Sequence, residues 1–357
     1  MGLELAERGV IPEWLIRRSI RRLCERHALQ LAAGSDAEAE HALLAFRDEA
    51  RRGPIAPVPE LANDQHYEVP AEFFGEVLGT HRKYSACFWP PGVTDLAVAE
   101  AAALRITCER ADLRDGMRIL ELGCGWGSLS LWMASAYPLA RIVAISNSVS
   151  QRAHIVAQAD RRGLKNLEVR TLDMNSFEAF GSFDRVVSVE MFEHMRNWEA
   201  LLTRVEACLA EEGRVFLHVF CHRRSTYPYR TDGPENWLGR HFFTGGMMPS
   251  RDYLRHLEAP LEVEAEWTWN GEHYRRTADA WAANLDRRRD SILRILAKTY
   301  GSAEAERWFA RWKIFFLACA EMFGLREGTE WMVGHYRLKR PGALQENPRG
   351  SIDAVLA

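Results

Sequence analysis

The sequence predicts an α/β protein built on an open, mostly parallel sheet. From residue 117 onward, short apolar β-rich segments alternate with helical ones, a rhythm typical of right-handed βαβ units. The first of these strands runs into a glycine-rich turn that opens a helix, as in doubly wound folds. The chain has 357 residues, 47% of them hydrophobic, which is enough for one large α/β core with helical additions.

Seven segments are predicted to be strands, and the last two follow the βαβ rhythm less closely. The helical segments Leu129–Ala136 and Val149–Arg162 lie between early strands, whereas a long helical stretch, Thr277–Phe323, separates the final two. The predicted strands are Arg118–Leu122, Arg141–Ser146, Leu167–Asp173, Arg185–Glu190, Arg214–Phe220, Leu261–Trp269 and Trp331–Lys339.

The chain is predicted to have three parts. Residues 1–62 form a helical segment that ends in a linker rich in proline and glycine. Residues 63–340 form the α/β domain, with helical insertions at about 222–258 and 275–328. Residues 341–357 are expected to form a loose tail.

Composition narrows the classes of function. A formal net charge of −3 gives no reason to expect nucleic-acid binding. No run of about 18 apolar residues predicts a membrane span, and charges interrupt the N-terminus before a signal peptide could form. The seven cysteines are scattered without a C-x-x-C pair, which suits reduced thiols and predicts a cytoplasmic protein. His218, Cys221 and His222 lack a second ligand pair at zinc spacing, so no metal site is expected.

A glycine loop, Leu122-Gly-Cys-Gly-Trp-Gly127, follows the first predicted strand. Gly123 and Gly125 allow close approach of backbone to a ligand, and the helix start supplies N–H groups. Nicotinamide and flavin sites use similar turns, but Glu121 would repel a pyrophosphate and favour an ammonium group. S-adenosylmethionine carries an ammonium and a sulfonium and no phosphate. We therefore predict that the loop binds S-adenosylmethionine, with S-adenosylhomocysteine as the product.

Further motifs make the sequence resemble the cyclopropane-fatty-acid synthase superfamily, and most closely its coclaurine N-methyltransferase-like branch. They occur in the same order over roughly residues 62–340, which is far more specific than one glycine loop. The resemblance implies a class I, Rossmann-like methyltransferase with a seven-stranded sheet. The matching segments besides the glycine loop are Gln65-His66-Tyr67, Lys83-Tyr84-Ser85, Ser146-Asn147-Ser148, Glu190-Met-Phe-Glu-His-Met195, Phe242-Phe-Thr-Gly-Gly246, Asn270-Gly271, His273-Tyr274 and Glu330-Trp-Met-Val333.

The resemblance also implies which side chains hold the cofactor. Amides can bond both ribose hydroxyls, and a carboxylate can accept from the adenine amino group, so the chemistry of the residues agrees. The alternative for Asn147 and Gln151 is that the first caps a helix and the second is a surface residue. The implied residues are Tyr84 and Ser85 at the methionine part, Asn147 and Gln151 at the ribose, and Asp173 and Met174 at the adenine.

Glu190, Glu193 and His194 follow the fourth predicted strand, where open α/β sheets place their sites. Methyl transfer requires a nucleophile with a free lone pair in line with the S–CH3 bond. An amine is mostly protonated at neutral pH, so the site must bind an ammonium and then accept its proton. Carboxylates and a histidine do both, and we predict that these three residues are catalytic. A solvated turn is the alternative.

Two departures from the cyclopropane synthases favour an amine over a lipid. Those enzymes resemble one another in a small residue where Glu190 stands, and in a cysteine, which helps hold a bicarbonate base, where Ala86 stands. An added carboxylate suits a cationic amine and offers nothing to an alkene. Glu193, His218 and Tyr274 still match the other bicarbonate positions, so bicarbonate is expected only if the substrate is a lipid.

The predicted reaction is N-methylation of a small, aromatic amine, with His218, Tyr274 and Trp331 in the substrate site. Tyr274 and Trp331 would suit a cation–π wall around an ammonium, or else pack in the core. The alternative is methylenation or methylation of an unsaturated acyl chain in a membrane phospholipid. The arginines at 17–26 are assigned to a solvated face or a homodimer contact in preference to anionic lipid.

Overall fold

The computed structural model describes residues 2–58, 69–233 and 236–343. The motif Gln65-His66-Tyr67, the boundary at residue 62 and most of the predicted tail lie outside these ranges. Within them, no helix is both long enough and apolar enough to cross a membrane.

A seven-stranded sheet forms the centre of the molecule. Its strands are β1 Arg118–Leu122, β2 Arg141–Ser146, β3 Leu167–Thr171, β4 Phe183–Val189, β5 Leu209–His222, β8 Glu262–Trp269 and β9 Trp331–Lys339, and a separate small sheet pairs β6 Tyr227–Pro228 with β7 Met247–Met248. The order in the large sheet is β3-β2-β1-β4-β5-β9-β8. Strands β1 to β5 pair in parallel, whereas β9 runs antiparallel to both β5 and β8. The predicted mostly parallel α/β sheet is therefore confirmed.

The fifth strand is longer than its apolar pattern predicts. It begins at Leu209 instead of Arg214, and its pairing with β4 shifts register between Phe183 and Arg185. From Leu209 to Arg214 β5 advances five residues while β4 advances two, and the extra residues disturb the alternation of side chains. The exposed Glu211 and Glu212 lie in this first part of the strand, which is why the sequence pattern does not reveal it.

Helices cover the sheet and extend beyond it at both ends of the chain. The predicted stretch Thr277–Phe323 is divided into three helices at Arg288 and Gly301, and Gly301 has a φ of +87° that helices exclude. The helices are α1 Gly2–Glu7, α2 Glu13–Ala32, α3 Asp36–Ala50, α4 Ala71–Val77, α5 Leu96–Arg110, α6 Ser128–Ala136, α7 Val149–Arg161, α8 Trp198–Glu206, α9 Trp237–His241, α10 Glu272–Arg287, α11 Arg289–Tyr300 and α12 Ala305–Phe323.

The segment predicted as a helical insertion at 222–258 is mostly not helical. Its described residues contain the five-residue α9, a 3-10 turn at Tyr253–His256 and the two short strands β6 and β7. Prolines and glycines recur through the segment, and they favour turns over helix. Its Met247 and Met248 are fully buried.

The N-terminal helices are part of the same packed body as the C-terminal ones. Helix α2 packs against α12, and Arg17 of α2 forms ion pairs with Asp279 at 2.8 Å and Glu321 at 3.1 Å. Helices α10 and α12 pack together over an aromatic core that includes Trp281 and Trp312. The helical cap and the sheet together enclose the site described next.

Candidate active site

Two cavities lie at the carboxyl ends of the parallel strands, where open α/β sheets bind ligands. The larger has a volume of about 100 Å³ and the smaller about 60 Å³. They share one wall, so groups bound in the two would be in contact. The residues that line both are Gly123, Gly125, Gln151, Glu190 and His194.

The smaller cavity contains the residues expected at the ribose and adenine. Asn147, Asp173 and Met174 line it together with Gln151. The Gln151 side chain accepts a hydrogen bond from Ser146 Oγ at 2.7 Å, whereas its buried Nε2 has no partner among the described residues. A buried amide with a spare donor fits a ligand hydroxyl, and at 2% exposure Gln151 is not the surface residue of the alternative interpretation.

The glycine loop leaves room for a ligand. Gly125 has a φ of +50°, and a Cβ added there would meet no atom within 4 Å, although the residue lines both cavities. Gly123 has a φ of +76°, and its added Cβ would lie 2.6 Å from Met191. Gly123 therefore serves packing and Gly125 keeps the ligand space open, which fits a cofactor held close to backbone.

Glu121 lies in the wall of the larger cavity with Tyr84 and Ser85. It is 2% exposed, and Ser130 Oγ donates a hydrogen bond to its carboxylate. Burial raises the pKa of Glu121 to about 7. A cationic ligand group placed beside it would restore the charged form, so this carboxyl fits the ammonium of the predicted cofactor.

Glu190 joins three distant segments of the chain. Its Oε1 accepts from the Ala86 backbone N–H at 2.8 Å and lies 3.1 Å from His218 Nε2, and Tyr274 Oη donates to its Oε2 at 2.8 Å. The residue immediately follows β4 and has a φ of +47°, in the left-handed region. The three contacts hold this strained residue with its carboxylate in the shared wall.

The surroundings of Glu190 keep it ionised. Burial alone would raise its pKa, but the His218 hydrogen bond, the Lys83 charge and the Ala86 N–H bring the pKa below the usual value. Lys83 is itself buried and donates to Ser85 Oγ and, at 2.6 Å, to the Ala86 carbonyl. It thereby fixes the segment that supplies one of the three contacts.

His194 lies in the wall shared by the two cavities, as a residue that moves protons should. Its ring stacks on Phe243 with centroids 5.5 Å apart and planes 10° from parallel. Aromatic rings form much of the larger cavity around it. Beyond the predicted Tyr84 and Tyr274 and the loop's Trp126, these are Phe220, Phe243, Trp281 and Phe315. Spacing in the sequence does not separate such aromatics from core residues.

Three predicted site residues, Glu193, His218 and Trp331, do not line either cavity. Glu193 is fully buried, its Oε1 accepts from the Phe220 N–H at 2.6 Å, and burial together with the Glu190 charge raises its pKa well above the usual value. His218 contacts Glu190 but is itself fully buried. Neither Glu193 nor His218 lines a cavity.

The structure corrects the cation–π role expected of Trp331. Its indole N–H donates to Tyr227 Oη at 2.9 Å, and its ring stacks on His27 of α2 with centroids 6.2 Å apart. Trp331 is fully buried, so the core interpretation holds for it. Among the residues that the structure describes, no group of three or more histidines, cysteines and carboxylates could hold a metal ion.

Comparison with known proteins agrees with this site. The family described as Mycolic acid cyclopropane synthetase matches residues 59–330. An (S)-coclaurine N-methyltransferase of Thalictrum flavum subsp. glaucum is 34% identical over 343 residues, which cover 95% of each chain. The chain belongs to this family. It is an S-adenosylmethionine-dependent methyltransferase, and the resemblance predicted from its motifs is confirmed.

Two further relatives define the range of the family. A crystal structure of coclaurine N-methyltransferase bound to N-methylheliamine and SAH matches with a TM-score of 0.91 and 34% identity, and the match covers 95% of this methyltransferase and 98% of that chain. A cyclopropane-fatty-acyl-phospholipid synthase of Escherichia coli strain K12 is 29% identical over 277 residues, 76% of this chain and 67% of that protein. The chain is thus similar both to an N-methyltransferase and to an enzyme named for a fatty-acyl phospholipid.

Proposed function

We propose that this methyltransferase transfers a methyl group to the nitrogen of a small aromatic amine. The observation that carries the proposal is the ionised carboxylate of Glu190 in the wall shared by the two cavities. The coclaurine N-methyltransferase relatives support it, because their names describe methylation of an amine nitrogen and they match nearly the whole chain.

Glu190 has the capacity to bind an ammonium as well as its three present donors. An ionised carboxylate offers about four lone-pair sites, and Ala86, His218 and Tyr274 account for three. The remaining site can accept an N–H from the substrate. The aromatic rings of the larger cavity would stabilise the same cation through their faces.

The proton of the ammonium must leave before nitrogen can act as a nucleophile. S-adenosylmethionine supplies the electrophilic methyl group on its sulfonium. His194 lies in the shared wall and is our candidate for the base, with Glu190 holding the amine in position. For Glu193, a catalytic role stays a prediction, and burial of its neutral form instead favours a role in fixing the Phe220 backbone.

The lipid alternative finds less support in this site. By resemblance, His218 and Tyr274 match positions that hold bicarbonate in cyclopropane synthases, but here both contact the Glu190 carboxylate. The two side chains that a bicarbonate would need as hydrogen-bond partners are therefore already in contact with Glu190. A carboxylate in the cavity wall would also be costly beside an acyl chain.

A direct test is to incubate the protein with methyl-labelled S-adenosylmethionine, mixed arylalkylamines and vesicles of unsaturated phospholipid. We expect label in the amine fraction. Glu190→Gly and the near-isosteric Glu190→Gln should both weaken amine binding, by about tenfold to a hundredfold, because a hydrogen-bonded charge is lost. Label in the lipid fraction, or unchanged amine kinetics in both variants, would contradict the proposal.

Glu327 provides a matched control for these variants. It is a second glutamate in the left-handed region, with a φ of +59°, but it is exposed and lies outside both cavities. Glu327→Gly should relieve similar backbone strain and leave the amine kinetics unchanged. A loss of amine binding in Glu190→Gly alone would then be due to the missing carboxylate.

The cellular location and the oligomeric state are also proposals. A cytoplasmic location is supported by all seven cysteines being unpaired. A homodimer is supported by the exposed apolar side chains of Val10, Trp14 and Leu29 in the N-terminal region. Light scattering of the purified protein would measure the mass of the assembly directly.

A further inference from the structure

We propose that Arg110 and His335 are positioning residues that act through His218 to aim a fixed N–H group at the Glu190 carboxylate. This inference rests on the proposed function, in which ionised Glu190 binds the substrate ammonium. None of the sequence motifs described above includes Arg110 or His335.

The four side chains form a continuous line of contacts from the end of α5 to the cavity wall. Arg110 Nη1 lies 2.8 Å from His335 Nδ1, His335 Nε2 lies 2.9 Å from His218 Nδ1, and His218 Nε2 lies 3.1 Å from Glu190 Oε1. The two histidines are directly opposite each other in the antiparallel pairing of β5 with β9. The sheet itself therefore sets the spacing of the middle contact.

The chemistry of the two ends fixes the direction of every hydrogen bond. A guanidinium only donates, so His335 Nδ1 must accept and His335 Nε2 must carry hydrogen. His335 then donates to His218 Nδ1, which leaves the hydrogen of His218 on Nε2, facing Glu190. An ionised carboxylate only accepts, so the order is consistent from one end to the other.

Burial keeps both imidazoles neutral, as this order requires. His218 and His335 are fully buried. Burial lowers the pKa of His218 to about 4, and it lowers the pKa of His335 well below the usual value, with the charges of Arg110 and Lys83 acting in the same direction. Neutral rings with one hydrogen each can hold only one tautomer in this line.

Aromatic packing holds the line in place. The Arg110 guanidinium lies 5.2 Å from the ring centroid of Trp267, and the His335 ring lies 4.3 Å from that of Trp269. Because arginine does not give up its proton, the line cannot carry a proton outward. Its effect is to orient and stabilise charge on Glu190.

Other groups also face Glu190, and the test must separate them from the line. The titratable groups that face Glu190 are His218, Lys83, the phenols of Tyr274 and Tyr229, the carboxyl of Glu193 and the thiols of Cys87 and Cys319. The titratable groups that face His335 are His218, Arg110 and Lys83. Within the line, variants of Arg110 and His335 leave all direct neighbours of Glu190 in place.

His335→Phe keeps a ring in the packed site but removes both nitrogens, whereas His335→Gln retains a donor near the Nε2 position. In His335→Phe, His218 loses the partner that fixes its tautomer. We expect the acid limb of the pH profile of kcat/KM to move about one unit higher, since Glu190 would then protonate more easily. His335→Gln should restore much of the parent profile, and Arg110→Met, at a partly exposed position, should produce a smaller shift in the same direction.

The tautomers can be measured without any amine. In the full chain, nitrogen–proton correlation spectra of 15N-labelled histidines, assigned with the His335 variants, should give His218 and His335 as neutral rings with hydrogen on Nε2. An Nδ1–H tautomer, an imidazolium, or a loss of activity that is uniform across pH would overturn the inference. Wrong tautomers with intact amine methylation would overturn this inference alone. The expected tautomers in a protein that does not methylate amines would overturn the proposed function alone.

Discussion

The cofactor side and the substrate side of the cavity are built differently. On the cofactor side, Gly125, Asn147 and Asp173 each lie in the loop that follows their own strand, and neighbouring parallel strands bring them together. On the substrate side, Glu190 depends on Ala86 and Tyr274, which are 104 and 84 residues away. The first side relies on backbone shape and the second on side-chain hydrogen bonds between distant segments. Substitutions should therefore affect binding of the cofactor and turnover of the substrate separately.

The largest effect should come from the glycine loop. Gly125→Val would place a branched side chain in the open space of both cavities and strain a φ of +50°. We expect S-adenosylhomocysteine binding, measured by calorimetry, to fall below detection. Gly116→Val is the matched control because Gly116 also has a positive φ, of +84°, but is exposed with nothing within 4 Å of an added Cβ. Normal binding by Gly125→Val would show that the loop does not hold the cofactor.

An intermediate effect is expected on the substrate side. His194→Ala should lower turnover of the amine by about 100-fold or more if His194 moves protons, while affinity for S-adenosylhomocysteine changes little. Kinetics and calorimetry on the same preparation would measure the two quantities, with His41→Ala, at an exposed histidine on α3, as the control. Near-normal turnover would reduce His194 to a structural residue that packs on Phe243.

The smallest effect is a pH dependence of cofactor binding. Since the pKa of Glu121 is raised to about 7, this carboxyl is increasingly protonated and neutral as the pH falls below 7. An ammonium beside it requires the charged form, so affinity for S-adenosylhomocysteine should fall by up to about tenfold per pH unit below 7. Glu121→Gln should bind more weakly and show no such slope. A wild-type affinity that is constant between pH 5.5 and 7.5 would separate Glu121 from the ammonium.

The same contrast explains what the sequence predicts well. The order of strands and the glycine loop depend on local patterns, and these predict the sheet and the cofactor cavity. For Trp331 the sequence leaves a cavity wall and the core as alternatives, and the structure places its ring in the core. The pairing of His218 with His335 joins residues 117 apart, and no local pattern indicates it. The register in which β5 pairs with β9 brings these two histidines together, and composition does not reveal that register.

The backbone at Glu190 bears on how readily the residue at this position can change during evolution. Its φ of +47° costs a glutamate about 1–2 kcal/mol, and glycine avoids that cost. A glycine at this position would fit the backbone as it stands. Removing the carboxylate loses three hydrogen bonds but relieves the strain, so the two effects on folding stability oppose each other. A substitution that removes this carboxylate would therefore change the charge of the cavity wall with little penalty to the fold.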